Sequence, residues 1–338
     1  MTLLLSSAPL SASRSQYSRI ADDINRSSTG WTAALAPNIP YDDDNALRGW
    51  LGAISISDSQ AHSELASIAS YETARGRSGR KLQVAPISAY PASLDLRQKY
   101  PLCSSIRTIR NQGSCGSCWA FATMNSLTDR WCISKTVGAV PNNWYFSVED
   151  VLECCSDCNG GSGNGCNGGM PSYALRYARD VGVPSGDMKI LSGGFCKPYF
   201  LDGVKVSGSQ APSCSTSCSN TLYTAAYTLD RTRITGYSLG KGENQMIAAL
   251  NNGGTIAVAF TVYQDFYAYR SGVYKYTSGA VLGGHAVRLI GYGVDNGVNY
   301  WLVANSWGKY WGEAGFFRIR RGTNECNIES NYAVYGQI

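Results

Sequence analysis

One short segment of the chain places a cysteine in a setting that suits nucleophilic chemistry. It reads Gln112-Gly-Ser-Cys115-Gly-Ser-Cys118-Trp119-Ala-Phe121. Cys118 stands where an apolar helical pattern begins, and the unpaired backbone N–H groups at the start of a helix favour a thiolate. Gly113 and Gly116 let the backbone approach a substrate closely. We therefore predict that Cys118 is a nucleophile; the alternative is that it is one more half-cystine.

A thiolate nucleophile needs a base, and the chain has only two histidines. His62 lies in a polar segment without any motif, which is typical of a surface residue. His285 follows two glycines at the head of a predicted strand. Asn305 comes later, on what should be the neighbouring strand, where its amide can fix the tautomer of the imidazole without adding charge. Trp307 can shield that contact from water. This arrangement predicts covalent catalysis by a thiolate and an imidazole.

Periodic patterns indicate which elements must position these residues. Apolar residues recur at helical spacing in 120–131, 148–155 and 174–181. Ser147 is the predicted N-cap of the second helix, Pro171 suits the first turn of the third, and Gly182 is its predicted end. Short β-branched and aromatic runs follow at 255–262, 286–292, 299–304 and 315–319. Helices first and strands second predict an α+β architecture of two subdomains, with the site in the cleft between them.

The composition excludes several classes of protein. The 338 residues carry a net charge of +5 without a dense run of Lys or Arg, so we expect no nucleic-acid groove and no basic membrane patch. No apolar run approaches the ~20 residues that a membrane-spanning helix needs. Two histidines leave little room for a His-rich metal site, and we expect no metal and no cofactor.

The 12 cysteines crowd one part of the chain, since only Cys326 lies outside 103–218. Such density in a chain with 37 glycines predicts a disulfide framework that forms in an oxidising compartment. The alternative is a zinc site, although no regular pair of C-x2-C motifs is present. Its candidate ligands would be Cys154, Cys155, Cys158 and Cys166.

The N-terminal extension, which comprises the residues before the catalytic region, differs in character from the rest of the chain. Residues 1–13 offer a short apolar run and a small-residue site, so they are either a weak signal peptide or a disordered terminus. Residues 14–81 are polar and are expected to be rich in loops. The basic stretch at 75–81 is typical of an exposed linker that proteases can cut. We place a domain boundary between Arg80 and Tyr90.

From about Tyr90 to its end, the chain resembles the papain family of cysteine proteases, and within it the cathepsin B branch. The segment around Cys118 matches the signature of that family. Further matches are Tyr90-Pro-Ala-Ser-Leu-Asp95, Cys154-Cys155, Cys166-Asn-Gly-Gly169, Gly283-Gly-His285-Ala286 and Tyr300-Trp-Leu-Val-Ala-Asn305-Ser-Trp307. The resemblance implies a helical subdomain beside a β-barrel-like subdomain. It also implies a monomer that takes peptides and proteins as substrates.

The resemblance assigns a role to individual residues. Cys118 would be the nucleophile, His285 the general base and acid, and Asn305 the residue that orients the imidazole. Gln112 and the backbone N–H of Cys118 would form the oxyanion hole. The implied substrate-binding residues are Gly116, Trp119, Gly168, Gly169, Met170, Pro171, Ala259, Gly284, Ala286, Trp307 and Asn331. The main specificity pocket would be formed by Met170, Pro171, Ala259, Ala286 and Asn331.

The resemblance also implies how ten of the cysteines pair, while Cys118 and Cys326 stay free. The implied disulfides are Cys103–Cys132, Cys115–Cys166, Cys154–Cys214, Cys155–Cys158 and Cys196–Cys218.

The N-terminal extension resembles a cathepsin B propeptide through Ile24-Asn-Arg26 and Leu47-Arg-Gly-Trp50-Leu51-Gly52. It would then lie over the cleft as an intramolecular inhibitor; the alternative is a disordered spacer without that role. The stretch 53–85 departs from the pattern, so cleavage could fall in 75–81 or near Tyr90. The implied domains are a possible signal peptide at 1–13, a propeptide at 14–85 and a papain-like peptidase domain at 86–338.

Two departures from the cathepsin B pattern bear on activity. That branch carries a loop with paired histidines that hold a substrate's C-terminal carboxylate, whereas 196–218 contains no histidine. We therefore expect weak or no dipeptide-removing activity. The pocket position that is acidic in cathepsin B is Asn331 here, so we expect apolar or small substrate residues to be preferred over Arg.

The leading hypothesis is a thiol endopeptidase of the secretory pathway, in a lysosome-like or vacuolar compartment or outside the cell, made as an inactive precursor. Two alternatives remain. The same fold could perform acyl or peptidyl transfer, because an amine can capture the thioester in place of water. The chain could also be a non-catalytic, disulfide-rich binding protein.

Overall fold

The computed structural model describes residues 12–76, 85–135, 144–161, 164–187, 194–201 and 210–338. Most of the candidate signal peptide and most of the basic stretch at 75–81 lie outside these residues. Within the described ranges, none of the helices combines the length and apolar character that crossing a membrane would require.

The N-terminal extension is more regular than the sequence predicts. Its elements are α1 (Ala12–Arg26), β1 (Trp31–Ala33), α2 (Asp44–Arg48) and α3 (Asp58–Ala74). Helix α1 buries Tyr17, Ala21 and Ile24 along one face, and the amphipathic spacing explains why it folds against the sheet. The expectation of a loop-rich extension was therefore wrong, because single buried residues at helical spacing are easily overlooked in a polar segment.

Four of the seven described α-helices of the catalytic region lie in its first half, as predicted, whereas the other three lie in its second half. The seven helices are α4 (Leu96–Lys99), α5 (Cys118–Lys135), α6 (Val148–Cys154), α7 (Pro171–Asp180), α8 (Tyr227–Asp230), α9 (Glu243–Gly253) and α10 (Gln264–Tyr267). The Ser147 side chain caps α6 by accepting the Asp150 N–H at 3.0 Å. Pro171 opens α7, and Gly182 follows its end with a φ of +88°. These start and stop signals are confirmed.

The strands form one sheet. They are β2 (Leu94–Asp95), β3 (Gly236–Gly240), β4 (Ile256–Tyr263), β5 (Tyr269–Tyr274), β6 (Val281–Asp295), β7 (Val298–Ala304), β8 (Phe316–Arg320) and β9 (Ala333–Gln337). The order is β1-β5-β8-β7-β6-β4-β9-β3, with β2 on β6, and among these described strands only the β5–β8 pair is parallel.

Strand β6 begins earlier than the sequence predicts. Because β4 continues to pair with β6 across the two glycines, up to Tyr263 opposite Val281, His285 lies inside the strand and not at its head. One buried cluster surrounds α5, and a second lies on the sheet and includes aromatic residues of the extension. The mixed helical and sheet architecture predicted from the sequence is confirmed.

The five disulfides are the pairs that the resemblance implies. Cys118 and Cys326 are free and buried. Because Cys154, Cys155, Cys158 and Cys166 all carry disulfides, no thiolate remains on them for zinc, and that alternative is excluded. The described residues contain no cluster of His, Cys, Asp and Glu that could hold a metal ion.

Candidate active site

Cys118 lies where the helical cluster meets the sheet. It is the first residue of α5 and is completely buried. Its Sγ accepts the backbone N–H of Ala286 on β6 at 3.5 Å. Since Ala286 directly follows His285, this contact places the sulfur beside the residue predicted to act as its base.

The His285 side chain is oriented by Asn305. His285 Nε2 lies 2.8 Å from Asn305 Oδ1, which also accepts the Ser306 N–H at 2.8 Å. An amide oxygen can only accept, so Nε2 must carry the proton and Nδ1 of the neutral ring is the basic nitrogen. Nδ1 has no hydrogen-bond partner among the described residues. The tautomer is therefore the one that a proton acceptor for a thiol requires.

An aromatic wall covers the His285–Asn305 pair. Trp307 is fully buried, and its ring stacks on the imidazole with centroids 4.7 Å apart. Tyr267 also stacks on this indole, with ring centroids 4.6 Å apart and an interplanar angle of 2°. Trp307 lies behind the imidazole and supports it. As the sequence predicts, its indole shields the Asn305 oxygen from water.

Burial keeps both reactive groups neutral. It raises the pKa of the Cys118 thiol to about 11, although backbone N–H groups of Ala286 and Gly52 partly offset the shift. Burial also lowers the pKa of His285 to about 4, while its bond to Asn305 acts in the opposite direction. The prediction of a thiolate at the start of α5 is therefore wrong for the chain whose cleft is filled by the extension. Loss of solvent around the sulfur raises the thiol pKa more than the helix terminus lowers it.

Gln112 is already engaged by the extension. Its Nε2 donates to the Trp50 carbonyl oxygen at 2.9 Å and to the Cys115 oxygen at 2.7 Å. Its Oε1 accepts the Ser306 hydroxyl at 2.6 Å, which fixes the orientation of the amide. A carbonyl of the extension thus lies against the donor that the sequence predicts for an oxyanion.

The segment after Trp50 threads through the cleft. The Gly169 N–H donates to Gly52 O at 2.8 Å, and the Ile54 N–H donates back to Gly169 O at 2.9 Å. The Ala53 N–H donates to Gly284 O at 3.1 Å. A Cβ on Gly52 would lie 1.9 Å from the Gly116 carbonyl oxygen, so only glycine fits at this point.

The glycines predicted to line the cleft lie together around the extension segment 52–54. Trp119, which was predicted to lie there too, is separated from that segment. A Cβ built on Gly169 would meet the Trp119 ring at 2.5 Å, and the indole N–H donates to Gly165 O at 3.1 Å. Trp119 therefore supports the cleft wall from behind and does not line the peptide path.

Ile54 and Ile56 of the extension line a small pocket beside the cleft. Its other lining residues are Ser55, Pro171, Ser172, Ala259, Asn331, Tyr332 and Val334. The Asn331 amide donates to Ala259 O at 3.0 Å, so the polar group of the floor is already satisfied. The lining contains no charged side chain.

The pocket differs from the predicted set at several positions. Two residues that were predicted to line the pocket lie elsewhere. Met170 ends the loop before α7, and its N–H donates to Cys158 O. Ala286 directs its N–H at the Cys118 sulfur. Neither lines the pocket. Tyr332 and Val334 were not predicted to line the pocket. Val334 lies on β9 and Tyr332 directly precedes that strand, so the two-residue period of a strand places both side chains on one face.

Comparison with known proteins finds related proteins that match most of the chain. Residues 90–336 match the family model described as papain family cysteine protease. Cathepsin B-like cysteine proteinase 4 of Caenorhabditis elegans is 47% identical over 261 residues, covering 73% of this chain and 75% of the relative. A gut-specific cysteine proteinase of the same organism is 43% identical over 249 residues, covering 72% of this chain and 73% of the relative.

Solved precursor structures share the fold. The procathepsin B S9 structure from Trypanosoma congolense has a TM-score of 0.71 at 28% identity and covers 94% of this chain and 97% of its own. A digestive procathepsin L2 proteinase from Tenebrio molitor larval midgut has a TM-score of 0.66, at 23% identity, over 96% of this chain and 89% of its own. The second likeness bears on the fold alone.

Proposed function

The chain belongs to the papain family of cysteine proteases, and we propose that it is a cathepsin B-like endopeptidase in which Cys118 is the nucleophile. His285 is the general base and acid, and Asn305 orients it. The observation that carries this proposal is the 2.8 Å contact between His285 Nε2 and Asn305, next to a sulfur in a peptide-filled cleft.

The reaction follows from these positions. Once the cleft is open to solvent, the Cys118 proton moves to His285 Nδ1 and the thiolate attacks the peptide carbonyl carbon. Gln112 and the Cys118 N–H stabilise the oxyanion, where one such donor is worth about 3–4 kcal/mol. The imidazolium gives its proton to the leaving amine, which departs and leaves a thioester. Water, deprotonated by His285, then cleaves the thioester and releases the acid.

Latency follows from occupation of the same groups by residues 50–54. In the proposed precursor, 14–85 is the propeptide and 86–338 the peptidase domain, and cleavage falls in 75–81 or near Tyr90. Support comes from the Trp50 carbonyl on Gln112 and from the Gly52 backbone against Gly116. Five disulfides support folding in the secretory pathway, with a lysosome-like, vacuolar or extracellular destination.

Endopeptidase activity is proposed because the paired histidines that would hold a substrate's terminal carboxylate are missing from the expected loop. The region 196–218 contains no histidine. Lys197, which lies in it, is 1% exposed and is paired with Asp150 at 3.1 Å and Glu153 at 2.7 Å. This ammonium group is therefore engaged in the fold and is not available to a substrate.

Processed enzyme is expected to cut internally quenched peptides at internal bonds, whether their C-termini are free or amidated. A vinyl-sulfone probe should label Cys118, and the Cys118→Ala variant should show neither labelling nor hydrolysis. Dipeptide release confined to free-acid peptides would make the enzyme an exopeptidase. Absence of labelling in processed protein would favour the non-catalytic binding protein.

The pocket that Ile54 and Ile56 help to line is proposed to select the substrate residue two positions before the cut bond. An Arg there would lose water without meeting a carboxylate, because Asn331 is neutral and already bonded to Ala259 O. We expect kcat/KM for Leu to exceed that for Arg by at least about tenfold. Asn331→Glu should narrow or reverse this ratio, and equal turnover of both peptides by the parent enzyme would contradict the assignment.

A further inference from the structure

One tyrosine hydroxyl joins the two ends of the loop 112–118, which runs from Gln112 to the nucleophile. The Tyr199 hydroxyl donates to the Gln112 carbonyl oxygen at 2.8 Å and lies 2.9 Å from Ser117 Oγ. Ser117 directly precedes Cys118. A single side chain therefore contacts the residue that supplies one oxyanion donor and the neighbour of the residue that supplies the other.

The chemistry of the three groups sets the direction of these hydrogen bonds. A carbonyl oxygen can only accept, and a tyrosine hydroxyl has one proton to donate. That proton goes to Gln112 O, so the Ser117 hydroxyl must donate to the Tyr199 oxygen. Burial raises the pKa of Tyr199, so its hydroxyl keeps the proton. All three residues are buried, and loss of the hydroxyl would leave the Gln112 carbonyl without this donor.

The other polar groups of Gln112 are held by different elements. Its N–H donates to Ser306 O at 2.9 Å, and its Oε1 accepts the Ser306 hydroxyl at 2.6 Å. Its Nε2 donates to Cys115 O at 2.7 Å within the loop itself. Ser306 follows β7, so it restrains Gln112 from the sheet, whereas Tyr199 restrains it from the helical part of the catalytic region.

The position of Tyr199 is itself fixed by packing and by the backbone. Tyr199 belongs to 196–218, which the Cys196–Cys218 disulfide closes. Its ring packs edge-on against Phe121 in the first turn of α5, with centroids 4.7 Å apart. Its N–H donates to Asp187 O at 2.8 Å. The hydroxyl is therefore presented to the loop by a side chain that has little freedom to move.

We propose that Tyr199 is a positioning residue whose hydroxyl fixes the spacing between Gln112 Nε2 and the Cys118 N–H, the two donors of the oxyanion hole. This inference rests on the proposed function. Such donors stabilise an oxyanion only when they already point to the place where the charge develops, and a displacement of about 1 Å can lower the rate roughly 100-fold. The region 196–218 thus contributes to peptide-bond cleavage although it contains no histidine.

Tyr199→Phe tests this role, because it keeps the packed ring and removes only the hydroxyl. In processed enzyme we expect kcat for a fluorogenic peptide to fall about tenfold or more, while KM changes by less than about threefold. Alkylation of Cys118 by iodoacetamide should stay within about twofold of the parent, because attack on a saturated carbon forms no oxyanion. An unchanged kcat, or alkylation that slows in proportion to kcat, would overturn the proposal.

Two further variants sharpen the result. The Tyr292 hydroxyl also donates to a backbone carbonyl, Pro91 O, and accepts from the Asn251 amide, both at 3.0 Å, so Tyr292→Phe is a matched control that should keep the parent kcat. In a Gln112→Ala background, Tyr199→Phe should lower kcat by less than about threefold, since the spacing matters only when both donors are present. An equal loss in both backgrounds would contradict the proposal.

Hydrogen exchange tests the same contact without hydrolysis. The Gln112 and Gly116 amides each donate to a backbone carbonyl at 2.9 Å. In processed enzyme alkylated on Cys118, Tyr199→Phe should speed their exchange by at least about tenfold, and Tyr292→Phe should not. Unchanged exchange in Tyr199→Phe would refute the proposed role. If the parent enzyme hydrolyses no peptide, the proposed function fails, and hydrogen exchange still decides whether Tyr199 fixes the loop.

Discussion

Replacing His285 by alanine in processed enzyme is expected to lower kcat/KM by roughly 10⁴-fold or more. The imidazole has to accept the thiol proton, give a proton to the leaving amine and deprotonate the water that cleaves the thioester. No other histidine belongs to the peptidase domain, because His62 is exposed on α3 of the extension. Initial rates with a fluorogenic peptide, normalised to folded protein, measure the effect.

Two further variants distinguish loss of the catalytic base from a general loss of folding. His62→Ala makes the same change outside the peptidase domain, so enzyme processed from it should match the parent. Asn305→Ala should cause a smaller loss than His285→Ala, since it removes only the group that fixes the imidazole. A His285→Ala enzyme that keeps activity within about tenfold of the parent would contradict the assigned base.

Iodoacetamide is expected to alkylate Cys118 in the precursor at least about 100-fold more slowly than in processed enzyme at pH 7. The thiolate is the species that reacts, and a thiol pKa of about 11 leaves it scarce in the precursor. A His285 pKa of about 4 means that the ring is neutral above roughly pH 5 and offers the sulfur no positive charge. Removal of the extension returns both groups to solvent and lets them form an ion pair.

The pH dependence distinguishes the two states. Below its pKa, the thiolate fraction rises about tenfold per pH unit, so the precursor's rate should climb steeply between pH 5 and 8. An ion pair in the processed enzyme should keep the rate nearly level over that range. Mass spectrometry of the peptide that contains Cys118 gives both rates. Buried Cys326, whose thiol pKa burial also raises, is an internal control that should stay unmodified.

A substitution in the extension tests whether the extension shields the Cys118 thiol from the reagent. Gly52→Ala places a methyl group where the Gly116 carbonyl oxygen already lies, so the segment must move away from Cys118. Faster alkylation of this precursor than of the parent is expected. If the parent precursor and the processed enzyme react at the same rate, the extension does not shield the nucleophile.

Much of the candidate site could be read from local sequence, because the signals are short. Cys118 begins a helix whose pattern is visible in the next residues, and Ser147 and Pro171 mark helix starts that depend on neighbours only a few residues away. The proposed role of His285 followed from the scarcity of histidine, and the disulfide pairs followed from resemblance.

Only the tertiary structure decided how these residues meet and in which ionic state. The His285–Asn305 contact depends on the β6–β7 register, with Arg288 opposite Ala304, and pairing across strands is not encoded in either strand alone. The same holds for Trp119, which local sequence places at the cleft and packing places behind it.

By itself, the sequence determined the reactive residue types, three helices and four strands of the catalytic region, and the α+β class. It did not determine that the extension keeps the thiol and the imidazole neutral, or that Glu64 is buried. Both depend on which surfaces lose water on folding. An acidic residue in a polar helix is typical of an exposed position until Arg176 and Tyr237, from distant parts of the chain, are brought against it. Desolvation is a property of the packed chain, and for that reason it could not be read from neighbouring residues.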